Sequence, residues 1–193
     1  MQFRRPELFP TLFFISAFAV TCTLGTWQLQ RLEWKKDVIA ATEQAQSLPI
    51  LAGLPQEMDG LTYRKVALTG KFLYDRTIHL IGRQQGVDTG FYMVTPLALD
   101  DDGRIILVNR GFSPPGKETK PEGLVTVEGV LRTPREKHGF VPENMPEKNV
   151  WTYEDLDKIG EMIGKKPLPL IVEATGKMEQ NLFPIPNEGK IIF

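Results

Sequence analysis

Thiols and imidazoles are scarce in this 193-residue chain: Cys22 is the one cysteine, and His79 and His138 are the two histidines. One cysteine excludes an internal disulfide framework, a Cys-x-x-Cys redox pair and a cysteine-based zinc or haem-attachment motif. The sequence also contains no His-Glu-x-x-His, no phosphate-binding Walker loop and no nucleophile elbow. No block of one charge stands out. With 23 basic and 24 acidic residues the net charge is −1, so nucleic acid is not an expected partner. Each histidine reads first as an ordinary residue: His79 alternates with Ile78 and Leu80 in T-I-H-L-I, and His138 sits in the polar run R-E-K-H-G. Asp100, Asp101 and Asp102 lack the spacing of a calcium loop and read as a solvated turn. Gly82 to Gly86 reads as a turn between strands, and Asp155 and Asp157 as helix-starting carboxylates. Nothing in this inventory argues for an enzyme.

Charge is missing altogether from Leu8 to Gln30, and that absence organises the chain. About 20 such residues in a helix cross the ~30 Å hydrocarbon core of a bilayer, and a helix satisfies its own backbone there. The run is longer than a signal-peptide core, and Ala17 and Ala19, which fit the small-residue cleavage pattern, lie inside it, which predicts an uncleaved anchor over a cleaved signal. Arg4 and Arg5 flank one end, and Arg31, Lys35 and Lys36 the other, so the positive-inside rule does not orient it. Residues 1–30 are therefore read as a flank plus transmembrane helix. Residues 31–59 are read as a juxtamembrane helix (Leu29, Leu32, Lys36, Ile39 and Ala40 keep helical spacing) and a linker beginning near Pro49.

From residue 60 the period changes to two. Strands are predicted over 63–73, 77–82, 90–99, 104–108, 125–132 and 167–174, with Asp100–Gly103 turning one hairpin. A short amphipathic helix is predicted over Tyr153–Ile163, with Thr152 as a candidate N-cap and Gly164 closing it. Ser113–Gly123 reads as an exposed loop, and Asn109 and Arg110 as strand-end residues packing a turn. The expected fold class is α+β, mainly β: an N-terminal transmembrane helix, then an antiparallel barrel or sandwich-like domain over 60–187 with one short helix.

Several segments together resemble the surfeit locus protein 1 family, membrane-anchored assembly factors of cytochrome c oxidase. L-G-T-W-Q-L-Q-R-L-E-W-K-K, from Leu24, resembles the family's L-G-x-W-Q-x-x-R-x-x-W-K signature. Y-R-K-V-A-L-T-G-K-F from Tyr63, G-F-Y-M-V-T-P-L from Gly90, G-R-I-I-L-V-N-R-G-F-S-P from Gly103, V-E-G-V-L-R from Val127 and F-V-P-E-N-M-P-E-K-N-V-W-T-Y-E-D-L from Phe140 follow in the family's order. The resemblance covers Leu24 to about Pro186. It implies a non-enzymatic role assisting haem a delivery to the oxidase catalytic subunit, alongside the haem a synthesis machinery. It also implies a bacterial inner membrane with the β-domain on the periplasmic side, or else a mitochondrial inner membrane. The family continues after Ile-Pro-Asn with an Asn-His-x-x-Tyr-Ala-x-x-Trp motif and a second helix. Here Ile185-Pro186-Asn187 is followed by the divergent segment 188–193, Glu-Gly-Lys-Ile-Ile-Phe. The expectation is a chain with one anchor and without that histidine, the suspected ligand for haem a.

If haem a is handled transiently, the candidate contact residues are Trp27, Arg31 and Trp34, which share one helix face at the membrane boundary. Two rings and a cation suit a flat macrocycle and a propionate. The same residues would also serve as an interfacial aromatic belt with a snorkelling arginine. A single-anchor scaffold that never binds haem is the alternative reading of the whole chain.

Overall fold

A computed structural model describes residues 8–81, 90–116 and 118–175. The expected turn at Gly82–Gly86 and the divergent segment 188–193 lie outside these residues. The chain forms two compact units that divide after Gln44. The first is dominated by one helix, α1, Leu8–Ser47. Its 40 residues amount to about 60 Å at 1.5 Å per residue, roughly twice the apolar thickness of a bilayer. It is long and apolar enough to cross a membrane, and it stops just short of Pro49 as the sequence predicts.

The second unit is a β-barrel with appendages. Its strands are β1 (Leu51–Ala52), β2 (Lys65–Phe72), β3 (Ile78–Leu80), β4 (Phe91–Leu99), β5 (Ile105–Ser113), β6 (Val125–Arg132), β7 (Val150–Trp151) and β8 (Ile171–Ala174). The order across the sheet is β1-β2-β6-β8-β5-β4-β3-β7, and an extra β2–β4 pairing closes β2, β6, β8, β5 and β4 into a ring. Most pairings are antiparallel, as the hairpin signals predict, but β1–β2, β3–β7 and β5–β8 are parallel. β1 and β7 are two-residue strands with no period to detect, and sequence reasoning did not find them.

Alternation places Val66, Leu68, Phe72, Ile106, Val108, Leu131 and Val172 in one core cluster inside the ring. Residues of the opposite parity, including Leu107 and Ile171, join Ile78, Leu80, Val94, Trp151 and Ile159 in a second cluster outside it. This cluster is covered by α2 (Leu156–Ile163). β5 is thus buried on both faces, which explains the uninterrupted I-I-L-V run. β5 also runs on to Ser113, past the predicted end at Val108. A register shift opposite Tyr92 and Val94, with Gly111 at φ +110°, lets the strand turn and continue. Asn109 and Arg110 are therefore mid-strand residues at a bulge.

α2 begins three residues later than predicted, and Thr152 is not its cap. Thr152 Oγ1 donates instead to the Pro142 carbonyl at 2.6 Å, while the Asp155 carboxylate accepts from the Lys158 N–H at 3.2 Å and caps the helix. Gly164, at φ +80°, ends it by donating to the Gly160 carbonyl. The Asp100–Gly103 turn forms as expected, with the Asp102 carboxylate accepting from the Arg104 backbone N–H at 2.9 Å. That bond, opposed by burial and aided by the Arg104 side chain, holds the Asp102 carboxyl below its ordinary range. Arg104 also donates to the Leu54 and Pro55 carbonyls, and Arg64 to the Pro49 carbonyl, so the segment after α1 is fastened to the barrel.

The β6–β8 seam tolerates no side chain at Gly129, where a Cβ would lie 2.5 Å from the Glu173 carbonyl oxygen and from Val172 Cγ1. Gly129→Ala is expected to cost about 1–3 kcal/mol through overpacking, read as a lower urea midpoint at unchanged m-value in the full chain in detergent.

Candidate functional site

The predicted contact residues lie on α1. The Arg31 guanidinium stands over the Trp27 ring, 5.4 Å from its centroid, a cation–π contact worth about 0.5–1 kcal/mol where exposed. Trp34 follows two turns after Trp27, about 10 Å along the axis. Trp27 is 48% exposed and Trp34 60%, so both rings are open to a planar ligand, to lipid headgroups or to a protein. On the same helix Thr21, Thr23 and Thr26 return their hydroxyl protons to the Ala17, Ala19 and Cys22 carbonyls at 2.8, 2.9 and 3.2 Å. These hydroxyls carry no unmet bond into lipid. Between Trp27 and Trp34 there is no imidazole, thiolate or thioether. The face therefore fits a macrocycle's ring and a propionate but not its iron.

The barrel holds one buried and one largely covered guanidinium that the sequence left without a role. Arg110, 1% exposed, stands over both rings of the Phe72–Tyr74 pair, 5.1 and 5.2 Å from their centroids. Its Nη2 donates to the Thr119 carbonyl, and Tyr74 Oη donates to the Pro121 carbonyl at 2.7 Å. The stretch predicted as an exposed loop over Ser113–Gly123 is thus tied to the barrel at Thr119 and Pro121, and Ser113 itself is buried. Burial pushes the Arg110 guanidinium below its ordinary value, against the pull of Tyr74 and Glu118; burial raises Tyr74, and Arg110 offsets part of it. The signal in the sequence was a charge inside the apolar run I-I-L-V-N-R-G-F.

The second charge is Arg132 at the end of β6. It forks onto Glu154, with Nη1 and Nη2 at 2.7 and 2.5 Å from the two carboxylate oxygens, and pairs with Glu173 of β8. The Glu154 side chain is fully buried and also accepts from the Arg135 backbone N–H at 2.8 Å. Burial opposes the Arg132 charge, but the two carboxylates outweigh it and hold the guanidinium above its ordinary value. No sequence pattern pairs residues 132, 154 and 173; the fold does.

Glu154 floors a cavity of about 1000 Å³. A strap over residues 133–144 forms one side and the start of α2 the other. Pro134, Val141, Leu156 and Pro169 supply apolar wall, and Arg135, Glu136, His138 and Asp157 add charge. The strap is bolted at both ends. Arg135 and Glu154 exchange two bonds, and Asn144 donates to the Tyr153 carbonyl while accepting from the Thr152 N–H. Lys137 pairs with Glu143, which also accepts from the Tyr153 hydroxyl at 3.1 Å. His79, by contrast, stacks on Phe91 at 5.2 Å and lies 3.8 Å from Glu118, on the face opposite the buried Ile78 and Leu80.

Comparison with known proteins gives a consistent result. The SURF1 family profile matches residues 15–190. The chain is 37% identical to Surfeit locus protein 1 of Rattus norvegicus over 181 residues, covering 81% of this chain and 58% of the rat protein. It is 35% identical to the Homo sapiens protein of that name over 170 residues, covering 75% of this chain and 56% of the human one. A SURF1-like protein of Monosiga brevicollis is 34% identical over 183 residues, covering 84% and 69% respectively. The chain thus spans little more than half the length of the rat and human proteins.

Glu154→Ala would leave the largely covered Arg132 with one carboxylate partner in place of two. The expected loss is about 3–5 kcal/mol, seen in urea unfolding, with Glu173→Ala costing less because Glu154 still neutralises the guanidinium.

Proposed function

The chain belongs to the SURF1 family, and from that membership we propose that it is a membrane-anchored, non-enzymatic assembly factor for haem–copper cytochrome c oxidase. In this reading α1 holds the protein in the membrane where the oxidase matures. The barrel then offers a rigid surface to the catalytic subunit and to the haem a synthesis machinery. The observation that carries it is the family match across residues 15–190, which takes in most of the apolar helix and the whole barrel.

The finer part of the proposal is that the chain assists haem a delivery, with Trp27, Arg31 and Trp34 as contact residues. Two exposed rings with a guanidinium over one of them support it. Haem a, when bound, supplies a redox-active iron. The chain's own residues would stack on its ring and hold a propionate. We place α1 in a bacterial inner membrane with the barrel on the periplasmic side; the animal relatives keep a mitochondrial inner membrane as the second placement. A single-anchor scaffold that holds a membrane partner without touching haem is the competing function. The specific observation favouring it is the lack of an axial donor between Trp27 and Trp34.

Gene deletion followed by complementation separates these readings. Deletion is expected to lower haem a content and oxidase activity while sparing other respiratory complexes, and the 193-residue chain is expected to restore them. Unchanged oxidase in the deletion strain would sink the assembly role. Replacing Trp27 and Trp34 together with Ala withdraws about 1–3 kcal/mol of ring contact, so recovery should fall roughly tenfold at equal membrane abundance. Full recovery would favour the scaffold.

A further inference from the structure

The charges of α1 are sorted by side in a way that anchoring alone does not require. Leu8 to Gln30 is free of charge, roughly 34 Å of helix, so Arg31 falls just outside a hydrocarbon core of ~30 Å. Lys35 follows at i+4, about 6 Å further along the axis. That rise matches the depth of one headgroup layer, roughly 5–8 Å.

Two like charges one turn apart repel each other, and the helix does not answer them. At about 100° per residue, Glu33 and Asp37 stand roughly 120–160° round the axis from either cation. Among the described residues no protein oxygen accepts from Arg31 or Lys35, and no ion pair reaches them. Arg31 meets the Trp27 ring instead. Trp27, Arg31, Trp34 and Lys35 share an arc of roughly 100°. Both indoles on it are exposed, and each carries an N–H that can donate to an ester or glycerol oxygen. This face lacks a negative charge at the depth where lipid phosphates lie. A zwitterionic headgroup would bring a cation of its own to it. A net-anionic phosphodiester brings the missing charge with nothing to oppose it.

We infer that the face formed by Trp27, Arg31, Trp34 and Lys35 is a binding site for an anionic phospholipid, its phosphodiester held between the Arg31 guanidinium and the Lys35 ammonium. This rests on the membrane-anchor part of the proposed function and on neither its haem nor its oxidase part. Lys35 belongs to this site alone.

The test is lipid competition read by tryptophan fluorescence. The full chain is reconstituted into vesicles of phosphatidylcholine whose acyl chains are brominated near the ester end, which quenches any indole they touch. Trp27 lies inside the charge-free span and reports the adjoining lipid, while Trp151, buried in the barrel, supplies a constant background. Part of the brominated lipid is then replaced by unbrominated phosphatidylglycerol, or by unbrominated phosphatidylcholine as reference. The ratio of the two recoveries gives the relative affinity for the face. The expected preference for phosphatidylglycerol is about tenfold, against about fivefold for a single surface cation. Lys35→Gln should at least halve it, and Arg31→Gln combined with Lys35→Gln should bring it close to one. Lys36→Gln removes the same charge about 100° round the helix from Lys35 and should leave the preference nearly unchanged. Circular dichroism is expected to be the same for all variants, since the three side chains are exposed. The inference is overturned if both unbrominated lipids relieve quenching equally. It is also overturned if Lys36→Gln loses as much preference as Lys35→Gln, which is the response of diffuse attraction to an anionic surface. Absence of quenching by brominated phosphatidylcholine from the start would place Trp27 off the bilayer and overturn the anchor reading as well, so the two failures are distinguishable.

Discussion

Closure of the barrel at Gly70 is the constraint on which the rest of the second unit depends. That residue pairs with Val125 of β6 on one side and with Leu99 of β4 on the other. A Cβ there would meet the Ala98 carbonyl oxygen at 2.4 Å. Only a residue without a side chain lets both neighbours approach. Once β2 serves two partners the sheet becomes a ring with an inside, and Val66, Leu68, Val108 and Val172 are dry together. The outside of the same ring then needs its own cover, which α2, β3 and β7 provide around Trp151. The ring has no free edge of its own; the exposed edges pass to the two-residue strands β1 and β7, too short to template aggregation.

Buried charge does the joining that strand pairing leaves undone. Arg132 links the end of β6 to β8 and to the residue just before the α2 cap. Arg110 rests over two aromatic rings and holds the segment after β5. Each guanidinium costs several kcal/mol to bury, and each recovers much of that by fixing a connection whose own sequence is polar and irregular. The planar fork suits both tasks: it forms paired bonds to a carboxylate at Glu154 and stands over the paired rings of Phe72 and Tyr74. A lysine carries the charge but neither geometry. The consequence for function is a barrel whose straps at 113–123 and 133–144 are held in place, so that the cavity beneath the second has a defined shape.

The elements with strong local period were legible. The apolar run from Leu8 announced α1, alternation announced β2, β4 and β6, and Asp100–Gly103 announced its turn. What was misread failed for physical reasons. β5 was cut short because Asn109 and Arg110 look like a strand's end, while a bulge carries the strand through them to Ser113. Thr152 resembled an N-cap because it precedes an amphipathic stretch, but Asp155 is the residue whose carboxylate reaches the helix's free N–H groups. On the candidate site, the Trp27–Arg31 contact was readable because helical spacing puts those residues together. The strap cavity was not, because it is built from residues 133–141 and 152–157 with Pro169, and only the fold brings them together.

By itself the sequence determined that the chain has one charge-free helix long enough for a bilayer, a β-rich remainder, no cysteine chemistry and the motif series of its family. Those are properties of composition and short-range order, which a chain carries in any conformation. The tertiary structure alone decided that the sheet closes, that three pairings run parallel, and that Arg132 meets Glu154 and Glu173. It also decided which of two similar histidines borders a cavity. These depend on contacts between residues far apart in sequence, whose free energy exists only after the intervening chain has been ordered.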